Sequence, residues 1–128
     1  MEVLIRAVRP EDRAFIISTW CKGQLYGNSF FTAVDSEAYF THYPKYITSI
    51  LDRAEVRVAC FADDEDIILG YAVMSQNALH WVFVKKALRS EGIANKLIAG
   101  ASVSVITSLT KPGQAIAAKK GWRFNPWL

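Results

Sequence analysis

The chain has 128 residues, 52% hydrophobic and 21% charged, enough to build an ordinary core and too apolar for a disordered chain. No run approaches the roughly 20 apolar residues that cross a bilayer. Cys21 and Cys60 neither form a disulfide scaffold nor stand at metal-ligand spacing, so no metal is expected. The net charge of +3 hides an asymmetry: residues 1–66 carry seven Lys/Arg against eleven Asp/Glu, and residues 67–128 carry eight against Glu91 alone.

The length suits one domain over residues 1–128. The amino terminus lacks a basic segment followed by a long apolar run, so a reducing, cytoplasmic setting without membrane attachment is the simplest expectation. Residues 3–8 alternate as a first strand. Pro10, Glu11 and Asp12 suit a helix start, and Phe15, Ile16, Thr19 and Trp20 give a helix over 11–22 one buried face. Residues 23–34 have the composition of a loop. A second helix runs from Asp35 or Ser36 to about Arg53, with a break or kink expected at Pro44. Residues 55–61 alternate as a strand, 63–66 are charged enough to predict a turn, and strands follow over 67–74 and 78–85 as an antiparallel meander. Helical spacing returns over 92–102. Residues 103–109 read as a strand, Lys111-Pro112-Gly113 as a breaker, 114–120 as a short helix and 122–128 as a terminal extended piece. The order β-α-α-β-β-β-α-β-α-β predicts an α+β architecture of α/β/α sandwich type, a sheet with helices packed on it.

The informative segment is 79–97, where a strand runs through a short loop into a helix with Gly92 in its first turn. Such a start offers unpaired backbone N–H groups to an anion, and Gly92 lets a phosphate approach the backbone. Lys85, Lys86, Arg89 and Lys96 are expected to surround the same spot, a site suited to a diphosphate. The basic half fits such a ligand as well as it fits nucleic acid or a membrane surface, and no aromatic–basic interleaving or recognition-helix pattern points to nucleic acid.

Arg89 to Ala94 match Arg/Gln-x-x-Gly-x-Gly/Ala, the signature loop of the GNAT acetyltransferase superfamily, and Val84 matches the apolar residue five positions ahead. Ile5-Arg6 and Pro10-Glu11-Asp12 look like the family's opening, and Ala117 to Trp122 resemble its Ala-x-x-Lys-x-Gly-Phe region. The chain thus resembles a small GNAT member along nearly its whole length, with only 79–97 specific. The resemblance implies a mixed, mostly antiparallel sheet whose fourth and fifth strands splay apart, with Val82, Phe83 and Val84 pairing with the pantetheine arm of acetyl-CoA. It also implies Val84 N–H as the oxyanion donor and Arg89, Ser90, Glu91, Gly92, Ile93 and Ala94 around the pyrophosphate.

The implied reaction is transfer of acetyl from CoA to a primary amine by direct attack, which needs a base or a water chain. His80 is the candidate: the two-residue period places 80, 82 and 84 on one face, and arylalkylamine-type relatives carry a histidine there. His42, in the second helix, fits a surface or packing role. Phe30 and Phe31 are candidate acceptor contacts, whereas Tyr39, Tyr43 and Tyr46 at helical spacing read as core. Where many relatives place a tyrosine acid stands Ala117, and no tyrosine follows Tyr71. A thiol of pKa about 8.5 makes the missing acid worth only ~2 kcal/mol at neutral pH. The competing reading is an acyl-CoA-binding or interaction module that has lost the chemistry. The final strand is expected to be short or missing, an edge that a homodimer partner could complete.

Overall fold

Alternating apolar residues make β1 (Val3–Ala7) an edge strand, paired antiparallel with β2 (Glu55–Phe61). A computed structural model describes residues 2–128, the side chains of 111 and 112 excepted. The meander continues through β3 (Asp64–Ser75) and β4 (Ala78–Val84), both antiparallel to their predecessors. Two strands of two residues each, β5 (Val105–Ile106) and β6 (Arg123–Phe124), then add in parallel, giving the order β1-β2-β3-β4-β5-β6.

Helices cover both faces. On one, α1 (Arg13–Gly27), the single turn α2 (Ser29–Thr32) and α3 (Ser36–Leu51) bury Ile16, Trp20, Tyr39 and Ile47 against Val58, Tyr71 and Val73. On the other, α4 (Ile93–Ile98) and α5 (Lys111–Lys120) bury Ile93, Leu97 and Ala117 against Ala59, Ala72, Met74 and Leu79. This is the expected layered α+β arrangement. No helix among the described residues is long and apolar enough to cross a membrane.

Several boundaries differ from expectation, each for a local reason. The predicted loop at 23–34 is mostly helical. Helix α1 runs on to Gly27, and α2 follows with Asn28 as its N-cap, the Asn28 Oδ1 accepting from the Phe30 N–H at 3.0 Å. Helix α3 is not broken at Pro44. The proline deprives only the Phe40 carbonyl of its donor, and Phe40 is exposed, so water can take that place. Of the acidic segment 63–66 only Asp63 lies in a turn, with Ala62, and residues 64–66 start β3, because their charges and carbonyls have partners. Arg9 bonds Glu65 at 2.6 Å and Asp66 at 3.3 Å, and the Arg6 guanidinium donates to the Glu65 carbonyl.

Helix α4 ends at Ile98, four residues early. Arg57 of β2 donates to the carbonyls of Leu97 (3.2 Å) and Ala99 (2.9 Å), sealing the helix end against the sheet. Helix α5 starts three residues before its predicted position because Thr110 caps it, its hydroxyl accepting from the Gly113 N–H at 3.1 Å. A proline in a first turn is compatible with that start.

Candidate functional site

The site is organised by a bulge in β4. Val73 stands opposite Trp81 and Met74 opposite Leu79, so His80 is the extra residue. Leu79, Val82 and Val84 therefore pack on the α4–α5 side, and Trp81 and Phe83 on the α1–α3 side. The expected sharing of one face by 80, 82 and 84 does not hold, because the bulge slips the alternation at His80.

That bulge also ends the pairing with β5. Only Ala78 and Leu79 pair with it, and the last bond joins the Thr107 N–H to the Leu79 carbonyl at 3.2 Å. The predicted strand over 103–109 is consequently confined to Val105–Ile106. Past Leu79 the edge of β4 has no strand partner. The Lys85 N–H donates to Leu69 on the β3 side, so strand alternation turns the main-chain groups of Val84 and Val82 toward the open edge. The Val84 carbonyl is taken by Arg89, whose Nε donates to it at 3.2 Å.

The loop after β4 meets this edge. Ser90 (φ 82°) and Gly92 (φ 76°) both lie in the left-handed region, an uncommon state for serine that concentrates at functional sites. Gly92 is the N-cap of α4 and supplies no side-chain cap. Among the described residues, the N–H groups of Ser90, Gly92, Ile93, Ala94 and Asn95 have no hydrogen-bond partner. Orphan donors at a loop-to-helix junction are what an anion satisfies.

Ser90, Gly92, Ile93 and Ala94 line a cleft of about 400 Å³ together with Arg89, Val82 and Val84. Glu91 is exposed beside it and Phe83 faces the other side of the sheet. The expected ring of cations is differently composed. Arg89 lines the cleft, but Lys85 lines an acidic hollow with Glu11, Asp12 and Asp66. Lys119 and Lys120 of α5 take the place opposite. Sequence reasoning missed these two, along with Asn95 and Trp122. The signal available was the helical spacing of Ile116, Lys119 and Lys120, which places all three on the cleft side of α5.

A second hollow of about 350 Å³ lies on the α1–α3 side and shares Leu79, Val82, Arg89 and Ile116 with the first, so the two lobes meet at the open edge of β4. His80 lines the second lobe at only 2% exposure. Its Nε2 is 2.6 Å from the Ser75 hydroxyl and its Nδ1 2.9 Å from the Thr107 hydroxyl. Burial, with a lesser push from Arg53, drives its pKa down to about 4. The ring is neutral at pH 7, with both nitrogens engaged, which weighs against direct proton abstraction. Because the folded value lies below the usual 6.5, the unfolded chain binds the proton first, and His80 lowers stability as pH falls from about 6.5 toward 4. The stability difference between wild type and His80→Gln, measured by urea unfolding, should shift by up to ~1.4 kcal/mol per pH unit across that window. A flat difference from pH 7 to 5 would contradict the assignment.

No protein-family model matches the chain, and no curated protein matches it. Solved structures do. YjaB from Escherichia coli in its apo form shares 22% identity over 94% of this chain and 80% of its own, with a TM-score of 0.61. YncA from Salmonella typhimurium, solved with its cofactor acetyl-CoA, shares 18% identity over 93% of this chain and 76% of its own (TM-score 0.55). An acetyltransferase of the GNAT family from Staphylococcus aureus Mu50 shares 17% over 76% of this chain and 61% of its own (TM-score 0.50). The chain has the GNAT fold. Within this GNAT fold the splay between β4 and β5 is present as expected. Ala117 is 7% exposed and packs in the α4–α5 core, and its carbonyl accepts from the Trp122 N–H at 2.9 Å. Phe31 lies edge-on to Tyr39 and Tyr43, whereas Phe30 is 69% exposed.

Proposed function

We propose that the chain is an acetyl-CoA-dependent N-acetyltransferase acting on a primary amine. The observation that carries this reading is the set of unpartnered amides at Ser90 and from Gly92 to Asn95, bordering a cleft that opens on the unpaired edge of β4; the Glu91 N–H turns back to the Leu88 carbonyl at 3.4 Å. The pyrophosphate binds these amides with Arg89, Lys119 and Lys120 nearby, and the pantetheine arm takes the vacant strand position beside Val84 and Val82. Acetyl-CoA in YncA supports the choice of ligand.

Val82 lines both lobes, so the thioester sits there, and the Val82 N–H serves the carbonyl oxygen in place of Val84, which lies nearer the phosphate loop. The amine nitrogen forms a bond to the acetyl carbon as the C–S bond breaks. The amine proton leaves to water, and the thiolate takes a proton from solvent, a step that needs little help. His80 acts as a positioning residue, tying the β4 bulge to Thr107 beyond β5.

A second reading, a binding module without chemistry, draws support from Ala117, which offers no acid, and from the engaged ring of His80. Acetyl-CoA should raise the melting temperature, and free thiol should appear when a suitable amine is added. Absence of any association with acetyl-CoA would sink both readings. Association without thiol release on every amine tried would favour the module.

A further inference from the structure

Arg89 lines both lobes of the cleft, so its side chain stands where they meet at the open edge of β4. Its Nε donates to the Val84 carbonyl at 3.2 Å, the guanidinium's only hydrogen bond among the described residues. No carboxylate among the described residues pairs with it.

Two observations give that bond a meaning. First, the Val84 carbonyl turns away from β3, because the N–H of the next residue, Lys85, points to the Leu69 carbonyl. It is the acceptor that the open edge offers to the amide N–H of an extended ligand, and Arg89 already takes it. An unpaired edge is ordinarily blunted in this way, by covering it. Second, Arg89 opens the loop whose amides at Ser90 and from Gly92 to Asn95 have no partner. A phosphate seated on those amides attracts a guanidinium more strongly than a neutral carbonyl does, since a charge-assisted bond is roughly twice as strong. The same side chain therefore has two competing partners, the Val84 oxygen and an anion on the loop.

Resting on the acetyl-transfer reading, we propose that Arg89 is a latch that admits a thioester arm only when phosphates come with it. Seated phosphates draw the guanidinium off Val84, and the freed carbonyl accepts an amide N–H of the arm. A bare pantetheine thioester must displace Arg89 with nothing to hold it. The site thus selects CoA thioesters over unphosphorylated ones by more than the phosphate contacts themselves supply.

The test is calorimetric titration of acetyl-CoA and S-acetylpantetheine, without an amine, into wild type, Arg89→Met and Arg89→Lys. Arg89 is exposed, so both variants should fold, which melting curves without ligand verify. Lysine keeps the charge but puts a methylene where Nε stands. S-acetylpantetheine should bind both variants about fivefold more tightly than wild type, the worth of one solvent-exposed hydrogen bond that no longer has to be broken. Acetyl-CoA should bind Arg89→Met about tenfold more weakly and Arg89→Lys only about two- to threefold more weakly. Inorganic pyrophosphate at saturation should erase the difference between wild type and Arg89→Lys for S-acetylpantetheine, because two ligands that contest one side chain are linked. An arginine that only contacts phosphate would lower acetyl-CoA affinity in Arg89→Met and leave S-acetylpantetheine unaffected. The proposal is overturned if S-acetylpantetheine binds the variants no more tightly than wild type, if it binds none of the three, or if pyrophosphate leaves the difference standing. Acetyl-CoA binding none of the three removes the transferase reading itself, and the latch with it.

Discussion

Gly92→Glu is expected to weaken acetyl-CoA binding by at least about 100-fold, close to 3 kcal/mol. Gly92 lines the cleft, and a Cβ placed on it meets nothing within 4 Å, so the new side chain projects into open cleft and does not disturb the core. A carboxylate there competes with the phosphates for the amides of Ser90 and of Gly92 to Asn95 and repels them. The φ of 76° adds backbone strain of about 1–2 kcal/mol for any L side chain. Gly92→Ala isolates that strain: it should lower the melting temperature comparably and cost less than about tenfold in affinity. Calorimetry on the two folded variants separates the effects. Unchanged affinity in Gly92→Glu would show that the phosphates bind elsewhere.

Arg6→Met is expected to lower folding stability by about 3–5 kcal/mol, because it strands a buried carboxylate. Arg6 Nη1 and Nη2 grip Asp12 at 2.8 and 3.1 Å, with side-chain exposures of 8% and 6%. The same guanidinium reaches the carbonyls of Ala7 and Glu65, so one side chain joins β1, the start of α1 and the start of β3. Burial alone would raise the Asp12 carboxyl, but Arg6, with the Arg9 N–H, outweighs it and holds the group below its usual 3.8. Its folded pKa is depressed, so its stabilising share is present above about pH 4 and lost as pH falls through the lower folded value. Replacing both partners in Arg6→Met/Asp12→Leu should recover most of the loss in urea unfolding at pH 7. A double variant as unstable as the single one would mean that the pair contributes more than relief of desolvation.

The parts of this molecule that obey local rules were legible in its sequence. The meander follows from two-residue alternation, and the loop-to-helix junction from Gly92 between a strand and a helix. The unforeseen parts come from residues that act across the chain. Arg6 and Arg9 make an acidic stretch into a strand, and Arg57 cuts α4 short from forty residues away. The bulge at His80 redirects β4, and no composition signal marks it. It moves His80 out of the periodic pattern and confines β5 to two residues. Lys119 and Lys120 likewise reach the cleft only because α5 folds back over it, whereas Lys85, adjacent in sequence to the loop, turns away.

The junction between Leu79 and Ile106 has a thermodynamic consequence. One jaw of the cleft is a four-stranded meander with long registers, and the other hangs on two residue pairs to β4 and two more to β6. Segments with so few cross-connections open locally at little free-energy cost. The apparent grip on a ligand spanning both jaws is then scaled by the fraction of molecules whose second jaw is closed. Tightening this carboxy-terminal flap would strengthen binding without altering a single ligand contact.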